Sequence, residues 1–220
     1  MLTTAVHVLV EYLCARLDNK DEIHNYRAGI REVAESLQAI ANWKRFIPGD
    51  GIPIVTAVFG LASGSTFKDQ KPSTRLALFK LIDFMFRTYV KNLTREKSVN
   101  YLVEGLISMA ELEKNPACLA VVFPLYEHIS KEWDLSTPDF NGIWDSFIRY
   151  FPITVGSTAQ DPSAPTREEL KAYLLQCIIS NDAYAEHAFP RLIDMLDTKS
   201  DLSANTKVRV SVELNLHPLT

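Results

Sequence analysis

The sequence of 220 residues predicts an all-α protein, and three observations lead to this prediction. Apolar residues recur at three- and four-residue steps along almost the whole chain, which is the pattern of amphipathic helices. Strand-like alternation is limited to Val208, Val210 and Val212, which is too short to carry a sheet. Pairs of helical stripes begin near residues 2, 52, 97 and 138. Because HEAT and armadillo repeats recur at roughly 40–47 residues, this spacing favours stacked hairpins over a closed bundle. We therefore expect an α-solenoid of HEAT-type helical hairpins with about nine helices.

The first four helices are predicted from their apolar stripes and from two prolines. Pro53 lies where the first turn of a short third helix tolerates a proline, and Pro72 precedes a long fourth helix. The four stripes cover residues 6–17, 30–41, 55–62 and 78–93.

The other five helices are predicted from stripes and from start signals. Asn115 is a suitable N-cap for the sixth helix, Thr166 and Glu169 form a capping box for the eighth, and Asn181 precedes the ninth. Pro124 should kink the sixth helix rather than end it, because the apolar spacing continues to Ile129. The five stripes cover residues 99–110, 119–129, 140–151, 170–178 and 185–196.

The composition gives no support to an enzyme or to a metal protein. The three cysteines, Cys14, Cys118 and Cys177, are far apart and form no CxxC pair, and the five histidines show no ligand spacing. We therefore expect no catalytic residue, no cofactor and no metal. No stretch reaches the roughly 18 uncharged apolar residues of a membrane span, so no direct membrane contact is expected.

Charge is distributed unevenly along the chain. The formal net charge of −4 and the pI of about 5.8 give no strong nucleic-acid signal. Residues 68–97 carry eight basic and three acidic side chains, whereas residues 104–145 carry eight acidic and two basic ones. Lys80, Arg87 and Lys91 share a face of the long helix. A solvated face is the ordinary explanation, and a surface that steers an acidic partner protein is the alternative.

The tryptophans divide into two groups. Trp144 belongs to an apolar stripe, whereas Trp43 and Trp133 lie at helix ends. A tryptophan at a helix end either seals the packing between repeats, which we favour, or anchors a partner. Trp133 is therefore kept beside the three basic residues as a candidate partner-binding residue.

Several segments together resemble one known family. They are residues 11–18 (EYLCARLD), 130–135 (SKEWDL), 147–153 (FIRYFPI) and 166–170 (TREEL), the last preceded by an Asp161-Pro162 loop. These segments resemble the N-terminal HEAT-repeat domain of the MMS19 family, and the resemblance extends from about residue 6 to about residue 197. The aromatic-Phe-Pro-Ile block followed by an acidic-proline loop and an Arg-Glu-Glu helix start is not shared by generic HEAT repeats.

The resemblance implies a non-enzymatic adaptor. Members of this family serve the cytosolic iron–sulfur assembly targeting complex, and they are also described as regulators of nucleotide excision repair and RNA polymerase II transcription. The implied partners are the other subunits of that complex and the apo-proteins of DNA repair, replication and transcription that receive clusters, in the cytoplasm and the nucleus. The alternative is a HEAT-repeat transport or cytoskeletal adaptor, which would share the solenoid but not the aromatic-Phe-Pro-Ile block.

The motif residues also have a structural explanation. Aromatic side chains pack at the end of one helix, a proline prevents that helix from continuing, and a capping box begins the next helix. The connecting loop is therefore held in place at both ends. We favour this explanation over direct partner contact for Tyr150, Phe151, Pro152, Ile153, Thr166, Arg167, Glu168 and Glu169.

Two regions are expected along the chain. Residues 1–197 should form the solenoid, and residues 198–220 should form an atypical tail, because residues after Lys207 no longer follow a helical stripe. Family members are several times longer, so the resemblance implies that the chain corresponds to the N-terminal part of a larger family protein.

Overall fold

The computed structural model describes residues 2–18, 29–64, 67–154 and 164–197. Within these ranges the chain forms nine α-helices and no strand, which confirms the predicted fold class. The helices are α1 (Leu2–Asp18), α2 (Gly29–Ala41), α3 (Gly51–Ala62), α4 (Pro72–Glu96), α5 (Val99–Ala110), α6 (Pro116–Glu132), α7 (Thr137–Ile148), α8 (Arg167–Ile178) and α9 (Ala185–Asp197). The expectation for residues 198–220 lies outside the described residues.

The helices form two parallel layers, as stacked hairpins do. In the first layer α1 packs on α3, α3 on α5 and α5 on α7, and in the second layer α2 packs on α4, α4 on α6 and α6 on α8. Each pair of consecutive helices, such as α1 with α2, is one repeat. The core therefore lies between the two layers, where the apolar stripes of all repeats meet.

The predicted start signals at Asn115 and Thr166 are confirmed, and Ser98 and Ser136 act in the same way. The side chain of each accepts a hydrogen bond from a backbone N–H in the first turn of the helix that follows it. At Thr166 the capping box is complete, because Glu169 also binds the backbone N–H of Thr166. Such caps satisfy donors that the helix itself leaves unpaired.

α3 begins at Gly51, directly after a 3₁₀ turn at Pro48–Asp50, so Pro53 lies in its first turn as predicted. Two other local features differ from the sequence-based expectation. α4 is interrupted at Tyr89, whose φ of −118° and ψ of 16° are not helical. A second 3₁₀ turn, Asp182–Tyr184, precedes α9 and carries the buried Tyr184 against Phe140 of α7. α6 continues through Pro124, in line with the prediction that this proline does not end the helix.

The first layer contains one very close approach between repeats. Gly105 of α5 faces the ring of Phe59 of α3, and a Cβ at this position would overlap with carbon atoms of that ring. The ring cannot move aside easily, because it is buried and packs edge-on against Phe86 and Tyr101. Glycine is therefore required at residue 105 by the packing of α5 on α3.

We predict that Gly105→Ala lowers the free energy of unfolding by about 1–3 kcal/mol, because overpacking outweighs the better helix propensity of alanine. The matched control is Gly29→Ala at the start of α2, where a Cβ would meet no atom within 4 Å. This control should lose no stability. Urea denaturation followed by circular dichroism measures both, and equal stability of the two variants would contradict the packing described.

Candidate partner-binding surface and motif environment

A buried ion pair joins the second repeat to the third. The carboxylate of Glu113, in the turn between α5 and α6, accepts hydrogen bonds from Nε and Nη2 of Arg75 in α4, at 2.7 and 2.8 Å. The backbone N–H groups of Lys114 and Asn115 donate to the same carboxylate at 2.9 Å. A third Arg75 nitrogen, Nη1, donates to the carbonyl of Gln70 at 2.5 Å. The Glu113 side chain is only 2% exposed, so every bond to its carboxylate is largely shielded from water.

The backbone of the turn is arranged to bring Glu113 inside. Leu112, which is exposed, has a φ of 61°, in the left-handed region that an L-residue adopts only at a cost. Leu112 lies in the turn directly after α5, and the next residue, Glu113, is buried and meets Arg75.

Burial and hydrogen bonding act in opposite directions on Glu113. Burial by itself raises the pKa of this carboxyl, but the hydrogen bond from Arg75 and those from the backbone of Asn115 and Lys114 outweigh it, and the pKa lies below its ordinary value. The ionised form is therefore the form that stabilises the fold.

The same turn contacts the fourth repeat through the family motif. The hydroxyl of Tyr150, just after α7, donates to the carbonyl oxygen of Glu113 at 2.9 Å and lies 3.3 Å from that of Ala110. Its ring packs edge-on against Phe123 of α6, and burial raises the pKa of Tyr150 to about 12. Tyr150 therefore serves as a structural contact between repeats.

The rest of the motif divides into inward and outward residues. Ile153 is buried, and Phe151 and Pro152 are half-buried and joined by a cis peptide bond. At the start of α8, by contrast, Arg167 and Glu168 are exposed, and Glu168 pairs with Lys171 at 3.0 Å. The start of α8 is therefore more open to a partner protein than the buried Ile153.

The three basic residues of α4 have different surroundings. All three are exposed, but Arg87 pairs with Asp83 at 2.7 Å and also donates to the carbonyl of Pro124 in α6 at 3.0 Å. Lys80 and Lys91 form no ion pair with any residue that the structure describes. Arg87 thus belongs to the contact between α4 and α6, whereas Lys80 and Lys91 are free to meet a partner.

Phe84, which the sequence analysis did not single out, lies on the same face. It comes one turn after Lys80 and two turns before Lys91, and it faces a groove between α2 and α4. Its signal in the sequence was weak, because a phenylalanine in a helix with many apolar residues is most simply read as a core residue.

The two tryptophans at helix ends are not equivalent. Trp133, the candidate partner contact, is half-buried and packs against Phe86 of α4, with ring centroids 5.0 Å apart. Trp43 is 53% exposed. The environment of Trp133 is therefore that of a residue sealing the packing between repeats, the role favoured for it from the sequence.

The cysteines lie separately in α1, α6 and α8, and all three are buried. Burial raises the pKa of the Cys118 thiol to about 12 and raises that of Cys177 as well. Cys177 donates to the carbonyl of Phe123 at 3.1 Å. Across the described ranges, no group of three or more His, Cys, Asp or Glu side chains is placed to hold a metal ion.

One histidine has a contact that the sequence did not indicate. Nδ1 of His7 in α1 lies 2.7 Å from Oδ1 of Asp50, just before α3, and Nε2 lies 3.3 Å from Glu11. The hydrogen bond with Asp50 and the charge of Glu11 raise the pKa of His7. This contact joins α1 to the start of α3.

None of the described helices is both long and apolar enough to cross a membrane.

Comparison with known proteins gives a consistent result. Residues 1–209 match the family described as Dos2-interacting transcription regulator of RNA-Pol-II. The "MMS19 nucleotide excision repair protein" of Drosophila melanogaster is 24% identical over 179 residues, which are 81% of this chain and 18% of the relative. The "DNA repair/transcription protein mms19" of Schizosaccharomyces pombe is 25% identical over 218 residues, 96% of this chain and 19% of the relative.

A human relative has a similar sequence identity to this chain. The "MMS19 nucleotide excision repair protein homolog" of Homo sapiens is 24% identical over 199 residues, which are 88% of this chain and 18% of the relative. The chain therefore spans less than a fifth of the length of these curated relatives.

We predict that Glu113→Gln lowers the free energy of unfolding at pH 7 by about 2–4 kcal/mol, because it leaves the Arg75 guanidinium without its charged partner. Since the pKa of Glu113 is lowered by folding, its contribution is complete above the ordinary carboxyl pKa and is lost as the pH falls through the folded-state pKa. The difference from wild type should therefore shrink in acid, as measured by urea titrations between pH 7 and about pH 3.

The matched control is Glu111→Gln, two residues earlier, where an exposed carboxylate pairs with Lys68. Its stability at pH 7 should stay close to that of wild type, because exposed pairs contribute little. A Glu113→Gln variant as stable as this control would show that the buried pair does not hold the repeats together.

Proposed function

The chain belongs to the MMS19 N-terminal family, described as Dos2-interacting transcription regulators of RNA polymerase II, and on this basis we propose that it is a non-enzymatic scaffold in DNA repair and transcription. The observation that carries this proposal is the family match over residues 1–209 of a chain whose described part is a helical solenoid. Solenoids present long surfaces on which several proteins can assemble.

The more specific proposal concerns iron–sulfur clusters. The resemblance of the SKEWDL, FIRYFPI and TREEL segments supports a role as an adaptor of the cytosolic iron–sulfur assembly targeting complex. In this role the protein binds the other subunits of that complex and the apo-proteins of repair, replication and transcription that receive clusters. Such work is done in the cytoplasm and the nucleus.

The proposed scaffold does not itself hold a cluster. Iron–sulfur clusters are usually ligated by four thiolates, and this chain has three cysteines. The raised pKa of Cys118 and of Cys177 also opposes formation of the thiolates that iron requires. The cluster is therefore cargo that passes between partners of the scaffold.

We predict that anaerobic reconstitution of the purified chain with iron and sulfide leaves substoichiometric iron after desalting. No visible absorbance of a cluster should accompany it, because the buried thiols supply no ligand set. A ferredoxin treated in the same way is the positive control. Stoichiometric iron and sulfide with visible absorbance in the chain would contradict the prediction.

We predict that affinity purification with the tagged chain recovers iron–sulfur targeting subunits and iron–sulfur helicases from cell extract. The alternative function, a transport or cytoskeletal adaptor, predicts recovery of Ran or tubulin instead. An unrelated HEAT-repeat protein with the same tag is the control for general adhesion to solenoid surfaces. Enrichment of Ran or tubulin over this control, without the targeting subunits, would replace the proposed function by the alternative.

A further inference from the structure

A groove of about 390 Å³ runs between α2 and α4 on the outer face of the second layer. α2 supplies one wall through the consecutive turns of Glu35, Gln38, Ala39 and Asn42, and α4 supplies Phe84. Ala39 is exposed and Phe84 is half-buried, and both line the groove. The groove therefore has an apolar floor and a polar rim.

Phe84 is held in place by its neighbours. Its ring meets the ring of Tyr89 edge-on, with centroids 6.1 Å apart, and the Tyr89 hydroxyl donates a hydrogen bond of 2.5 Å to the carbonyl of Ala41 at the end of α2. Tyr89 also packs against Phe46. The break in α4 at Tyr89 accompanies these contacts. An aromatic ring fixed in this way binds a partner without a large loss of side-chain entropy.

Two unpaired positive charges lie on the same helix as Phe84. Lys80 and Lys91 have no ion-pair partner among the described residues, whereas Glu35 of the groove wall pairs with Arg31, and Arg87 of α4 pairs with Asp83. The two lysines therefore place a local positive charge on a chain whose net charge is −4. A negatively charged partner would be repelled by the chain as a whole and attracted to this place.

We propose that this α2–α4 groove docks an acidic segment of a partner protein, with one apolar side chain on Phe84 and one carboxylate on each of Lys80 and Lys91. At a rise of about 1.5 Å per residue, Lys80 precedes Phe84 by about 6 Å along the helix, and Lys91 follows Phe84 beyond the break at Tyr89. The fitting segment therefore carries one apolar residue with an acidic residue on each side of it.

A protein segment fits this surface better than a nucleic acid does. Nucleic-acid affinity grows with the number of phosphates that basic residues neutralise, and the two lysines here could neutralise only a few. The amide side chains of Gln38 and Asn42 on the α2 rim suit the backbone of an extended peptide. The proposal deepens the scaffold function by naming the chemistry of one partner, but its test uses purified components and can fail while the affinity purification succeeds.

The test is fluorescence anisotropy with the purified 220-residue chain and a labelled peptide of about ten residues that carries the acidic–apolar–acidic pattern around one leucine. The wild-type chain should bind this peptide at low ionic strength, and binding should weaken as salt is added. Peptides with the leucine replaced by serine, or with the glutamates replaced by glutamine, should bind at least about fivefold more weakly, since each loses one class of contact.

Variants of the chain test whether the peptide binds in the α2–α4 groove. Ala39→Gln fills the groove without changing charge and should weaken binding at least about fivefold, and Lys80→Glu and Lys91→Glu should each weaken it by about three- to tenfold at low salt. The matched controls are Ala172→Gln and Arg167→Glu in α8, which change exposed positions away from the groove. Both controls should bind like wild type. Unchanged helical circular dichroism confirms that each variant is folded.

Several results would overturn the proposal. It fails if the wild-type chain binds the patterned peptide no better than the leucine-free peptide, or if the groove variants bind like their controls. It is replaced by a nucleic-acid surface if a single-stranded oligonucleotide binds more tightly than the peptide and depends on the same lysines. It is replaced by self-association if sedimentation shows a dimer that Ala39→Gln dissociates.

Discussion

The buried carboxylate of Glu113 is the constraint on which the arrangement of the central repeats depends. A solenoid has contacts only between neighbouring repeats, so each junction must fix its own register. At this junction Arg75 approaches from the preceding repeat, Tyr150 binds the turn from the following one, and two backbone N–H groups complete the site. An ionised group in this position tolerates little displacement of any of these partners, because a buried charge without hydrogen bonds is costly.

Register in turn determines the surface that a partner meets. The second layer places the exposed turns of α2 beside α4, and the Tyr89–Ala41 hydrogen bond fixes how far the two helices are offset. On α4, Phe84 lines the groove toward α2, whereas Arg87 donates to the carbonyl of Pro124 in α6. One helix therefore serves both purposes, with one edge packed against the next repeat and the other open to solvent.

The helical architecture could be predicted from the sequence because helical periodicity and N-caps are local signals. The capping box at Thr166 and the N-cap at Asn115 needed only neighbouring residues to be recognised. The Glu113 site could not be predicted, since nothing near a glutamate in a turn indicates that Arg75, 38 residues earlier, will meet it. The same reason applies to Phe84, which meets Ala39 and its neighbours of another helix in one groove. Such features depend on contacts between residues that are far apart in the sequence, and helical periodicity gives no information about those contacts.

Hydrogen exchange of the Arg75→Met variant, followed by mass spectrometry, tests most directly whether this carboxylate couples the repeats. The substitution keeps the aliphatic part of the side chain and leaves Glu113 without its guanidinium. We expect faster exchange together at the α5–α6 turn, in the first turn of α6 and around Tyr150, while α1 and its contact with α3 exchange as in wild type. Faster exchange confined to the first turn of α4 would contradict this account, because it would mean that the ion pair holds only its own helix.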